Sequence, residues 1–75
     1  MVNWRDWVVI NPSIMSGKPV IKGTRITVEL ILEKLAAGES VQDLVKAHPR
    51  LSQQAIQAAL MFAADVIRGN LVYTD

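Results

Sequence analysis

The sequence predicts a mainly α protein, three helices preceded by a small N-terminal β ribbon. Apolar side chains recur at helical spacing from residue 28 onward. Before that point, short β-branched runs at 7–10 and 20–21 are closed off by proline and glycine. Ser40 and Ser52 stand where helix caps belong, and Gly38, Pro49 and Gly69 stand where helices stop.

Taken in order, Trp7, Val8, Val9 and Ile10 read as a strand that Asn11 and Pro12 end. Val20 and Ile21 form a second strand able to pair with it. A lone ribbon of two strands is barely stable, so it must pack on the helices or on a second chain. Val28, Ile31, Leu32 and Leu35 then give the i, i+3, i+4, i+7 pattern of a helix over about 27–37, with Thr27 as its cap. Ser40 and Asp43 resemble a capping box and open a second helix, 40–48, which Pro49 stops. Ser52 caps a third helix, 52–68, ended by Gly69 and Asn70. Its expected core stripe is Ala55, Ile56, Ala59, Leu60, Ala63 and Ile67, widened by Phe62 and Val66. Leu71, Val72 and Tyr73 read as a short terminal strand. The whole is expected to be one domain: a β arm and basic turn at 1–26, a three-helix body at 27–68 and a tail at 69–75.

Seventy-five residues give a small core, and with no cysteine neither a disulfide nor a thiolate metal site reinforces it. Yet 51% of the residues are hydrophobic, and the third helix is apolar over much of its circumference. Both features lead us to expect that a second chain covers part of the surface, most simply a homodimer. Residues 1–26 carry Arg5, Lys18, Lys22 and Arg25 against Asp6, a balance of +3. Residues 27–75 carry four cations against six carboxylates, a balance of −2. A basic arm thus precedes a mildly acidic body, and an arm of that sign suits phosphates or an acidic protein. The first ten residues lack a cationic start followed by a long apolar core, and no apolar run approaches the ~20 residues of a membrane span. A cytoplasmic location is the expectation.

The string GKPVIKGTRI, residues 17–26, holds two glycines, a proline and three cations. It fails as a nucleotide loop, because proline follows Gly17 and Lys18 and removes an amide, and no hydroxyl residue follows the lysine. It reads better as a tight β turn in which Gly17 and Gly23 permit positive φ. Its cations have three readings, the plainest being ordinary solvated charges. Arg25 is expected to pair with Glu29, four residues on, and the alternative is that Lys18, Lys22 and Arg25 face a partner. Trp4 and Trp7 either lid the core or anchor an interface, where tryptophan is enriched.

Helices 40–48 and 52–68 are joined as a helix-turn-helix requires, which offers Gln53, Gln54 and Gln57 to a DNA groove. No cation lies between Ser52 and Ile67, however, and that weighs against DNA binding by a monomer. His48, the lone histidine, reads as a helix-end cap and not as a metal ligand. Ser13, Ser16, Ser40 and Ser52 sit in turns or caps. Glu29 and Glu33 share a solvated face, and the chain is short to enclose a pocket, so no catalytic activity and no cofactor is expected.

Gly17-Lys18-Pro19, Ile21 to Arg25, Val28, Gly38, Pro49, Leu51 and the alanine-rich last helix together resemble the bacterial domain-of-unknown-function 433 family over residues 8 to about 66. Members often carry a second glycine where this chain has Met15 and Ser16. The resemblance implies a three-helix, helix-turn-helix-like body behind a small β element. It also implies, for some members, a role as the antitoxin that inhibits a PIN-like ribonuclease, with DNA binding at the antitoxin's own operon. Lys18, Lys22, Arg25, Trp4 and Trp7 are then the expected partner-binding residues, with Arg25, Lys18 or Lys22 approaching the acidic metal site of the nuclease.

Overall fold

A computed structural model describes residues 2–69. Two strands, β1 (Val8–Val9) and β2 (Val20–Ile21), pair antiparallel with Val8 opposite Ile21 and Val9 opposite Val20. Three helices follow: α1 (Val28–Ala36), α2 (Val41–Ala47) and α3 (Gln53–Arg68). The predicted class is therefore present, a mainly helical body behind a β ribbon. The first strand is shorter than 7–10, because a 3-10 turn at Trp4–Asp6 claims its start and the Trp7 amide donates to the Trp4 carbonyl at 2.9 Å. Asn3 caps that turn, its Oδ1 accepting from the Arg5 amide at 3.1 Å. The strand expected at 71–73 lies outside the described residues.

Each helix starts where a short polar side chain replaces a missing backbone partner. Thr27 Oγ1 accepts from the Leu30 amide at 3.0 Å, and Ser52 Oγ accepts from the Ala55 amide at 3.1 Å. At α2 the box is reciprocal: the Asp43 amide donates to Ser40 Oγ at 3.0 Å, and the Ser40 amide donates to Asp43 Oδ2 at 2.9 Å. The backbone bond from Ser40, helped by its hydroxyl, holds the Asp43 carboxyl below its ordinary value of 3.8. A carboxyl depressed in the folded state stabilises it above the unfolded value, and that contribution is lost as pH falls through the folded one. Asp43→Asn should therefore flatten the loss of thermal midpoint seen on acidification below about pH 4, while lowering the midpoint at neutral pH. A melting series followed by circular dichroism checks this.

One core joins the elements. Ile31, Leu44, Ile56 and Val20 are its largest fully buried side chains, and α3 adds Ala55, Ala58, Ala59 and Phe62. Trp4 closes it from the N-terminal side. The ring is 7% exposed and packs edge-on against Phe62, with centroids 4.9 Å apart and planes at 84°. Its indole N–H donates to Asp65 Oδ2 at 2.7 Å, and the Arg5 guanidinium lies 4.4 Å from the ring centroid.

The expected core stripe of α3 needs correction. Leu60 is 43% exposed and Ile67 86% exposed, whereas Ala58 is buried. The helix carries two adjacent apolar stripes. Residues 55, 58, 59, 62 and 66 face the body, while Leu60, Ala63, Ala64 and Ile67 form a second i, i+3, i+4, i+7 row that emerges from it.

Before β2 the backbone turns through Met15, Ser16 and Gly17, with φ of 49°, 58° and 81°. Two of these three left-handed residues carry a Cβ, and each such residue costs roughly 1–2 kcal/mol. The geometry gives a physical reason for glycine at this turn. Because glycine returns part of the gain as chain entropy, Ser16→Gly should stabilise the fold by about 0.5–1 kcal/mol in urea titrations.

Candidate binding groove

The 17–26 string is built as a rigid turn. On one side of β2, the Lys22 amide donates to the Trp7 carbonyl at 2.7 Å. On the other, the Ile21 amide donates to the Ile26 carbonyl at 2.9 Å and the Val28 amide to the Pro19 carbonyl at 2.9 Å. Thr24 closes the tip. Its amide and hydroxyl both donate to the Ile21 carbonyl, at 3.0 and 2.7 Å, and its oxygen accepts from the Ile26 amide at 3.0 Å. Gly23 has φ of 77° within this turn, where a side chain would be strained. The result is a short loop, paired on both flanks, that projects Lys22 and Arg25 into solvent.

The turn between α2 and α3 comes up against this loop. Pro49 forces His48 out of the helix into extended backbone, with φ −128° and ψ 91°, and the Leu51 amide then returns to the His48 carbonyl at 2.8 Å. Arg50 reaches across 27 residues of sequence and donates from Nη1 to the Gly23 carbonyl at 2.9 Å. Between the two turns runs an open groove of about 800 Å³. Val9, Ile14, Val20, Ile26 and Ala47 give it an aliphatic surface, and Lys22, Arg25, His48 and Arg50 supply its charged and titratable groups. Among the described residues, no carboxylate lines it. Among the described residues, neither Lys22 nor Arg25 has an ion-pair or side-chain hydrogen-bond partner.

Several of the expected site residues move. The pair between Arg25 and Glu29 is absent, because Arg25 precedes the Thr27 cap in non-helical backbone and helical i, i+4 geometry does not apply there. Glu29 instead receives Lys18, with Nζ to Oε1 at 3.2 Å. Lys18 is thereby separated from Lys22 and Arg25 and lies outside the groove. Trp4 takes the lid role, leaving almost none of its ring for a partner, and Trp7 is half-buried against the same core. Gln53, Gln54 and Gln57 are exposed at the start of α3. His48 ends α2, as expected of a cap, but also lines the groove. Arg50 lies in the short link between α2 and α3. Its role depends on a tertiary approach, and the only local hint was a cation held in a tight turn by the preceding proline.

Among the described residues, no three His, Cys, Asp or Glu side chains gather to hold a metal ion, and no helix is long and apolar enough to cross a membrane. The fold and groove define a small helical domain whose exposed chemistry is a cationic cleft with an aliphatic lining. The family model described as Protein of unknown function (DUF433) matches residues 8–63, most of the chain, and the chain belongs to that family. The match contains every residue of the groove and leaves out Trp4, Asp65 and Ile67. The uncharacterized protein y4eO of Sinorhizobium fredii (strain NBRC 101917 / NGR234) is 38% identical over 66 residues. That alignment covers 87% of this chain, which spans only 30% of the relative's length. No solved structure matches the chain significantly.

Proposed function

We propose that this chain is a non-enzymatic, antitoxin-like protein that binds a PIN-like ribonuclease and holds it inactive. The observation that carries the reading is the groove itself, with Lys22, Arg25 and Arg50 on an aliphatic lining and, among the described residues, no carboxylate beside them. An acidic metal site needs a surface of opposite sign to cover it, and such complementarity steers association and fixes register. Inhibition is by occlusion. The test is capture of the tagged chain from its native host, mass spectrometry of what co-purifies, and an RNA-cleavage assay before and after the captured partner is freed. A stoichiometric nuclease that is silent while bound supports the proposal. A captured protein with no nuclease activity once freed removes it.

In this reading the chain acts as a homodimer. Leu60, Ala63, Ala64 and Ile67 suit the contact, with two large apolar ends and a small-residue centre that lets a second α3 approach closely. An antiparallel copy sets Leu60 against the other Ile67, so the row complements itself. A shallow groove of about 390 Å³ beside it, with Leu32, Phe62 and Val66 in its lining, extends the apolar area. Ile67→Glu should convert a dimer to a monomer in sedimentation equilibrium with a stability change within about 0.5 kcal/mol, as befits an exposed position.

A second reading is favoured by the placement of Arg50 and exposed Lys46 just before the exposed Gln53, Gln54 and Gln57. These cations supply some of the phosphate contacts that α3 lacks, and they suit a regulator that binds DNA. Binding of that kind weakens steeply with salt, by about 0.9 log units per phosphate contact for each tenfold rise in salt. A mostly apolar protein interface does not.

A further inference from the structure

We propose that the groove between the 22–25 and 48–50 turns is a docking site for an extended acidic and aliphatic peptide segment of the partner protein. The proposal rests on reading the chain as a protein-binding module and names what that module recognises. An extended segment presents its side chains alternately to two sides. Carboxylates on one side meet Lys22, Arg25 and Arg50, while aliphatic groups on the other lie on Val9, Ile14 and Ile26.

The cations are suited to this in different ways. Arg50 is held in place by its bond to the Gly23 carbonyl, and a guanidinium has five N–H donors, so it stays able to grip a carboxylate. Lys22 and Arg25 project from a loop whose backbone is paired on both flanks, and they have no internal partner among the described residues to give up. A volume of about 800 Å³ lies within the usual range of binding clefts.

Nucleic acid is the poorer fit. Among the described residues, no aromatic side chain lines the groove, whereas single strands are bound by stacking bases on aromatic rings. Tracking a duplex takes a longer run of cations than three, and the chain as a whole carries only +1.

The test is an NMR titration of the labelled chain with three probes. The first is a capped hexapeptide of alternating aspartate and leucine, the second its asparagine–leucine counterpart, and the third hexathymidylate. Amide shifts should concentrate at 22–26 and 47–50 with the acidic peptide, and the asparagine peptide should bind at least about tenfold more weakly. The Lys22→Gln, Arg25→Gln double variant should keep a dispersed spectrum and lose the response. Equal response to the asparagine peptide, a stronger response to hexathymidylate, shifts centred on 53–57 or on the exposed α3 row, or no response would each overturn the proposal. Peptide binding in a chain that captures no ribonuclease upholds the groove and removes the antitoxin reading. A captured ribonuclease with a groove that ignores the peptide does the reverse.

Discussion

Replacing Trp4 with alanine should remove a large share of the protein's stability. The ring is buried against Phe62, and its indole N–H is satisfied by Asp65. Truncating a buried tryptophan costs about 3–5 kcal/mol. A domain of this size has a total stability of only about 4–11 kcal/mol, at 0.05–0.15 kcal/mol per residue. The Trp4→Ala chain should therefore lose about a quarter of its stability at the least, read from the urea midpoint by circular dichroism. Asp65→Ala should lose less, about 1–3 kcal/mol, because it strands one indole donor without opening a cavity. Trp7→Ala should fall below Trp4→Ala, since Trp7 is only half-buried. A Trp4→Ala chain of unchanged stability would favour the interface role for Trp4 over the lid.

Reversing Arg25 has the opposite profile. Arg25→Glu should leave the urea midpoint within about 0.5 kcal/mol, because the side chain is exposed and has no internal partner among the described residues. Binding of the partner should weaken by about a hundredfold, since a like charge facing a carboxylate both removes an attraction and adds a repulsion. Lys18→Glu is the control. It changes net charge by the same amount at a cation outside the groove, whose exposed pair with Glu29 is worth no more than about 1 kcal/mol. Equal losses for Arg25→Glu and Lys18→Glu would mean that the partner senses overall charge and not this groove. Affinities of the purified complex at two salt concentrations separate the cases.

The helix starts were legible because capping is local. Thr27, Ser40 and Ser52 bond to amides three residues on, and residue type alone nearly specifies that geometry. The tight turn at Gly23 was legible for the same reason. The buried face of α3 was harder to read, because the helix is apolar on two neighbouring rows. Which row is covered depends on where α1 and the ribbon sit, and spacing within α3 does not say. Trp4 was ambiguous because tryptophan suits both a core and an interface, and its partners Phe62 and Asp65 lie about sixty residues away. The groove was half legible. Lys22 and Arg25 stood out as cations in a glycine turn, whereas Arg50 and His48 joined them only when Pro49 brought the second turn against the first. The expected Arg25 and Glu29 pair failed on a local point, since the helix begins only at Val28, three residues after Arg25.

On the proposed reading, the cleft between the two turns is the working surface of the chain. Amide hydrogen exchange on the captured complex, compared with the free chain, tests it most directly. Exchange should slow at 22–26 and 47–50 on binding. Protection confined to 53–57, or to the exposed row of α3 with both turns unchanged, would contradict it.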